Sequence, residues 1–278
     1  MIDLHTHTTA SDGTYAPADL VARAAAAGIT TLAVTDHDTL AGCEAASAAC
    51  AAAGMTFVPG IEVTSICDGK DLHVLGYFVD PSSASLRQFL TVQRQQRIDR
   101  ILQLIERLTA LGVHFDTRPL LERAAEAGER AMGRPEIARA LVAAGQVATI
   151  QEAFDTYLIP GRPGFVPRAG APPADVFARI HDAGGVVSLA HPGLVERDEW
   201  IEEFVGVGLD AIEAYHSEHD AETTARYLGI AKRFGLAVSG GSDFHGDDGH
   251  DHVPLGGVSL PAEEFERLRA LAKRGGLS

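Results

Sequence analysis

The stretch GITTLAVTDHDT (28–39) holds a helix stop, a strand and two candidate ligands in succession. Gly28 closes an alanine-rich helix that opens at Pro17, because proline suits the first helical turn and glycine the C-terminal end. ITTLAVT (29–35) has strand composition, and Asp36 and His37 stand at its C-terminal end. Upstream, IDLH (2–5) reads as a strand that ends in His5 with His7 just beyond. Downstream, a helix over 40–53 leads to TFVPGIEVT (56–64), a strand bearing Glu62, and to LHVLGYFV (72–79), which also has strand composition.

From Ser82 to Ile159 the rhythm breaks and the pattern is helical. Ile98, Ile101, Leu102, Ile105 and Leu108 recur at three- and four-residue steps, and short helices fit 117–127, 134–144 and 150–157. Residues 82–159 therefore read as a helical insertion domain. PGRPGFVPR (160–168) and APP (171–173) form a proline-rich return. Strands then resume with GVVSLA (185–190), DAIEAY (210–215) and LAVSGG (236–241), separated by helices near 197–206 and up to Phe234, with a last helix over 261–274. Repeated strand–helix units predict a parallel α/β fold, most simply a barrel, built from 1–81 and 160–278.

With 278 residues, 46% of them hydrophobic, the chain can fill one large core. A formal charge of −15 argues against a long nucleic acid as partner. No apolar run reaches the roughly 20 residues that span a bilayer, and MIDLHTHT is unlike a signal peptide, so a cytoplasmic protein without a membrane partner is expected. Cys43, Cys50 and Cys67 lack zinc-finger spacing and read as reduced, mostly buried thiols.

The placement of the histidines is the informative feature. His5, His7, His37, Glu62, His191, Asp243 and His245 all follow or end strands. Parallel barrels build their sites on that rim, so separate segments deliver ligands to one place. Asp12, in the loop after the first strand, and His73, at the start of a strand, can join them. Nine such groups exceed the needs of one four-coordinate ion, so two or three divalent cations are expected. Imidazole and carboxylate together suit manganese, iron or zinc.

Taken together, DLHTHTTASDG, TDHDT, PGIE, LHVLGY, AHPG and GSDFHG resemble the PHP (polymerase and histidinol phosphatase) family. Within it they are most similar to the stand-alone phosphatases of nucleoside 3',5'-bisphosphates. The resemblance covers residues 1–80 and about 165–260, with GRPEIARAL (133–141) inside the insertion. It implies a distorted (βα)7 barrel and a trinuclear centre, commonly of manganese, iron or zinc. His5, His7, Glu62 and Asp243 would hold one metal. Asp12, His37 and His245 would hold a second, and Glu62 would join His73 and His191 on a third.

Adjacent cations acidify a shared water, so hydroxide attack on phosphorus is the expected chemistry. Arg134 precedes Pro135 at a helix start, where a guanidinium and a helix N-terminus both favour phosphate. Arg168 and, less so, Arg162 lie in the rigid return. Tyr215, His216, Ser217 and His219 follow another strand and are expected to line the pocket; His216 is one candidate for the leaving-group acid. His250 and His252 read as a solvated loop, and Lys70 as an exposed turn residue. His114 and His181 receive no role. The expected substrate is a small nucleotide, with short RNA or histidinol phosphate as alternatives. An amidohydrolase would need a bridging lysine at a strand end, and a structural metal module would not need the full ligand set.

Overall fold

The computed structural model describes residues 1–125, 133–247 and 253–275; His250 and His252 lie outside them. Seven strands form one sheet in sequence order: β1 (Ile2–Asp3), β2 (Thr31–Val34), β3 (Thr56–Cys67), β4 (Lys70–Tyr77), β5 (Val186–Leu189), β6 (Ala211–His216) and β7 (Ala237–Gly241). The sheet closes on itself. Leu4 N donates to Gly240 O at 3.2 Å, Asp243 N donates to His5 O at 2.8 Å, and Thr6 bridges Phe244 in parallel. The barrel expected from the strand–helix rhythm is present.

The expectation of uniformly parallel strands needs a correction. β1–β2–β3 and β5–β6–β7 are parallel, but β4 runs antiparallel to both β3 and β5. A connection of only Asp68 and Gly69 joins β3 to β4, and so short a link can make only a hairpin. Both residues take positive φ there, 48° and 75°. The reversal has a functional consequence: the start of β4, not its end, lies on the rim where the parallel strands finish. That rim is where His73 stands.

Helices α1 (Pro17–Ala26) and α2 (Cys43–Ala53) cover the first strands. They bury Leu20, Val21 and Ala24 against Ala46 and Cys50, and these small side chains allow close approach. Cys43 and Cys50 are buried and free, and burial pushes the Cys43 thiol up to about 12. α3 (Ala84–Ala110) is long enough to serve two cores. Leu86 and Leu90 pack into the barrel core, while Ile101, Leu104 and Leu108 belong to a separate apolar cluster with Ile137, Leu141 and Leu158. Leu102, expected on the buried face, is 40% exposed, and Leu104 takes that place.

The second cluster joins α3 to α4 (Arg118–Ala125), α5 (Arg134–Ala143), α6 (Ile150–Ala153) and a π-helical turn, Phe154–Leu158. One helix was missing from the sequence reading: α7 (Pro173–Asp182) starts on the second proline of APP and buries Val176, Phe177 and Ile180. Proline at a helix start reads like a loop unless the apolar period behind it is weighed. α8 (Glu199–Gly206), α9 (Ala221–Phe234) and α10 (Ala262–Gly275) complete the ring. No described helix is long and apolar enough to cross a membrane.

The seam between β7 and β1 leaves no room for a side chain at Gly241, where a Cβ would lie 2.6 Å from His5 Cβ. Gly241→Ala is therefore expected to destabilise the protein by about 3 kcal/mol, the upper end for overpacking. Urea denaturation should show a lower midpoint with an unchanged slope; an unshifted midpoint would mean the seam can open at no cost.

Candidate metal centre

The rim collects all nine predicted ligands. His5 and His7 leave β1 on alternate positions, so both rings face inward. Their Nε2 atoms each lie 3.1 Å from Asp243 Oδ1, and 3.4 and 3.3 Å from Glu62 Oε2. His7, Asp12, His37 and His245 form a second group, with His245 Nε2 3.4 Å and His37 Nε2 3.8 Å from Asp12. His37 Nδ1, His73 Nδ1 and His191 Nε2 stand 3.0, 2.9 and 3.1 Å from Glu62, which thus faces five imidazoles from one buried position. Asp243 and His191 hold positive φ, 55° and 26°, an uncommon state for residues other than glycine.

The question is whether these groups satisfy one another or await an ion. Buried side-chain atoms without a hydrogen-bond partner include His5 Nε2, His7 Nε2, Asp12 Oδ1, His37 Nδ1 and Asp243 Oδ1. They are close but not aligned to donate and accept. Separations of 3.1 to 3.4 Å match the edges of a coordination polyhedron, about 3.0 to 3.4 Å for bonds of about 2.1 Å. Lone pairs that converge on common points, rather than on each other, suit divalent cations.

Burial and charge oppose one another across the cluster. Burial pushes the Glu62 carboxyl up, but His37, His73 and His5 hold it well below the usual carboxylate range. Asp243 is likewise depressed by His5 and His245 against its burial. Burial lowers His5, yet Asp243, Glu213 and Glu62 raise it well above an ordinary imidazole. Burial drives His37 well below that value, so its ring favours the neutral form that ligates.

The neighbours of these groups supply the support. Asp36 accepts from Thr8 N, Thr8 Oγ1 and Ser11 Oγ, each at 2.7 Å, and so pins the loop that carries Asp12. Glu213, which the sequence reading passed over within DAIEAY, is fully buried with its Oε1 3.0 Å from His5 Nδ1. A lone carboxylate in an otherwise apolar strand was the available signal. His216 is buried; its Nδ1 accepts from Glu218 N at 3.1 Å, and its Nε2 lies 3.4 Å from Asp243 Oδ2.

Ser217 is half-buried in the loop after β6, and Tyr215 is half-buried on β6 itself. His219 has both ring nitrogens engaged by backbone, Nδ1 with Ala214 O at 3.0 Å and Nε2 with Gly193 N at 3.2 Å. His181 pairs at 2.7 Å with Asp210, which precedes β6 at the end opposite the rim. Lys70 opens β4 and is exposed, as its turn composition implied.

Arginines assemble beside His73. Asp71, two residues earlier on β4, lies 3.2 Å from Arg134 Nη2 and 3.8 Å from Arg168 Nη1. Arg100 stands near and donates Nε to Val166 O at 2.9 Å, and Arg97 is bound to Asp38 and to Thr64 Oγ1. Arg168 Nε and Nη1 and Arg100 Nη2 are buried without hydrogen-bond partners. Burial, then Arg97, brings Arg168 down to about 9; burial, then Arg134, brings Arg100 to about 10. Three guanidiniums around one carboxylate leave positive charge uncompensated, which an anion would neutralise. Arg97 and Arg100 escaped the sequence reading, although they continue the buried stripe of Leu86, Leu90 and Gln93 on α3. Arg162 is exposed.

A barrel that gathers six histidines and three carboxylates on one rim defines a class: metal-dependent hydrolases. The model of the PHP domain family matches residues 3–158. Over 261 residues the chain is 36% identical to the 3',5'-nucleoside bisphosphate phosphatase of Chromobacterium violaceum, covering 90% of each. It is 34% identical to the 5'-3' exoribonuclease Rnm of Salmonella typhimurium, covering 87% of this chain and 84% of that one. Among solved structures, a protein assigned as a metal-dependent phosphoesterase from Bifidobacterium adolescentis superposes with a TM-score of 0.88 at 32% identity, covering 97% and 95%. An amidohydrolase from Chromobacterium violaceum with bound sulfate gives 0.86 at 33%, covering 97% and 96%. The chain belongs to the PHP domain family.

If the orphaned ligand atoms are built for cations, removing cations must cost stability. Protein stripped with a chelator and then given manganese or zinc at 100 times its dissociation constant should gain about 2.7 kcal/mol. Thermal unfolding at fixed protein concentration measures this, and an unmoved transition would refute the metal reading.

Proposed function

We propose that this chain is a metal-dependent phosphatase that takes the 3'-phosphate from nucleoside 3',5'-bisphosphates, giving a 5'-nucleotide and inorganic phosphate. The observation that carries the bisphosphate is the arginine group of Arg100, Arg134 and Arg168, which has buried N–H groups to spare next to His73. A substrate with one phosphate has no use for a second cationic site. The Chromobacterium and Salmonella relatives, named for bisphosphates and for RNA, support the same substrate class.

His5, His7, Glu62 and Asp243 would hold one cation, Asp12, His37 and His245 a second, and Glu62, His73 and His191 a third. Manganese is the expected ion, and the same donors accept iron or zinc. When bound, the cations supply an acidified water and neutralise charge on the phosphoryl oxygens. The rest falls to the chain. Arg100, Arg134 and Arg168 hold the 5'-phosphate and so orient the nucleotide. Helices of 82–159, as an insertion domain, bring the first two of these arginines over the barrel mouth.

His216 is positioned to serve the leaving group. Because its Nδ1 accepts from Glu218 N, the neutral ring carries its proton on Nε2, beside Asp243. That N–H can donate a hydrogen bond to the departing ribose oxygen and so stabilise the charge that builds on it. Tyr215 and Ser217 flank it. His219, held by Gly193 and Ala214, acts only as packing for this loop.

A second reading, 5'-to-3' trimming of short RNA, draws on an open cleft of about 440 Å³ beside Asp12, Asp243 and His245. Pro135, Ile150 and Phe154 line it, and it has room for atoms beyond the scissile phosphate. The same leaving oxygen serves both substrates. The acidic chain and compact mouth favour small or very short ones.

Phosphate release decides between substrates. 3'-Phosphoadenosine 5'-phosphate should be turned over faster than histidinol phosphate; equal or greater activity on the latter would sink the bisphosphate assignment. Arg168→Met and Arg100→Met should each raise KM for the bisphosphate about 10-fold or more, the worth of a charged hydrogen bond, and leave p-nitrophenyl phosphate unaffected. His216→Ala should lower kcat about 100-fold on nucleotides and far less on p-nitrophenyl phosphate, whose leaving group disperses its own charge. Asp243→Asn with undiminished turnover would end the hydrolase mechanism.

A further inference from the structure

Glu213 lies at the floor of the metal centre and ligates nothing in the assignment above. On β6 it sits between Ile212 and Ala214, and it is fully buried. Its two oxygens have separate tasks. Oε1 is 3.0 Å from His5 Nδ1, and Oε2 accepts from His191 N at 2.8 Å. Burial pushes the carboxyl up, but His5, His216 and His191 overcome this and keep it below its ordinary range.

The donor atoms of His5, Glu213 and His216 lie within 4.8 Å of one another and so resemble a further metal site. The hydrogen bonds argue otherwise. Both oxygens of Glu213 are already taken as acceptors, and His216 Nδ1 accepts from Glu218 N. His5 has its other nitrogen, Nε2, turned to Asp243 and Glu62. A neutral imidazole, the form that binds a cation, presents a bare Nε2 on its far side when it donates Nδ1–H to a carboxylate.

We infer that Glu213 is a positioning residue: it sets the His5 tautomer for ligation through Nε2 and clamps the His191 backbone so that two metal sites share one buried support. His191 holds φ 26°, ψ 58°, a conformation costly for a side-chain-bearing residue, and the bond to Glu213 Oε2 is a local force that keeps it there. From that backbone the ring reaches Glu62 Oε1 at 3.1 Å. One carboxylate on β6 thereby fixes ligands from β1 and from the end of β5. The inference rests on the metal-ligand reading of His5 and His191.

The test uses full-length protein stripped with a chelator and titrated with zinc alone against a competing chromogenic chelator. Glu213→Gln keeps the volume and one acceptor but sets an amide N–H against either His5 Nδ1–H or His191 N. Zinc affinity should fall about 10- to 100-fold, the usual effect of removing a ligand's carboxylate partner. An affinity equal to wild type overturns the inference. Nitrogen NMR of the zinc-loaded wild-type protein gives a readout that requires no variant at Glu213. The His5 ring, assigned by its loss in His5→Asn, should carry hydrogen on Nδ1 and none on Nε2. A proton on Nε2 with zinc bound also overturns the inference. If wild-type protein binds no zinc, the metal reading itself fails, an outcome distinct from a metal-binding protein indifferent to Glu213→Gln.

Discussion

Glu62 is the constraint on which the rest depends. It is 1% exposed, and His5, His7, His37, His73 and His191 all lie within 3.4 Å of its oxygens. A buried carboxylate without compensation costs several kcal/mol. The five imidazoles supply that compensation as hydrogen-bond donors, as cations, or as partners on ions placed between them. The local backbone is arranged to make this meeting possible. β3 delivers Glu62 inward, and the hairpin to β4 brings His73 back opposite Thr64, two residues further along β3.

The barrel and the helical segment meet through α3. Its buried stripe runs Leu86, Leu90, Gln93, Arg97, Arg100, Ile101, Leu104 and Leu108. The apolar ends belong to two different cores, and the polar middle crosses the barrel mouth. Gln93 donates to Thr64 O at 3.0 Å, Arg97 binds Asp38, and Arg100 joins the group around Asp71. A helix that anchors at both ends can hold charged side chains in a buried centre that a short helix could not enforce. The same rigidity keeps the arginine group beside Asp71, two residues before His73 on β4.

Supporting carboxylates divide the labour below. Asp36 fastens the loop bearing Asp12, Asp3 accepts from Ser242 N at 2.9 Å just before Asp243, and Glu213 reaches His5 and His191. Each steadies a segment or ring at the rim through its hydrogen bonds. The acidic character of the chain is thus partly internal, and a tally of formal charge cannot separate these groups from surface ones.

By itself the sequence determined that strands alternate with helices, that the middle block is helical, and that seven metal-type groups fall at strand ends, with Asp12 in a loop and His73 at a strand start to join them. Those facts are periodic or local, so spacing reveals them. The tertiary structure decided what depends on distant chain segments meeting. It ran β4 backwards, which turned a histidine at a strand start into a rim residue. It also separated His216, whose Nε2 faces Asp243, from His219, whose ring is consumed by backbone. Arg97, Arg100 and Glu213 became part of the site only through burial, because an arginine on a helix or a glutamate in a strand carries no mark of what it will face. The metal-type cluster was legible as a set of residues; which atom each one presents, and what holds it there, is a property of the closed barrel.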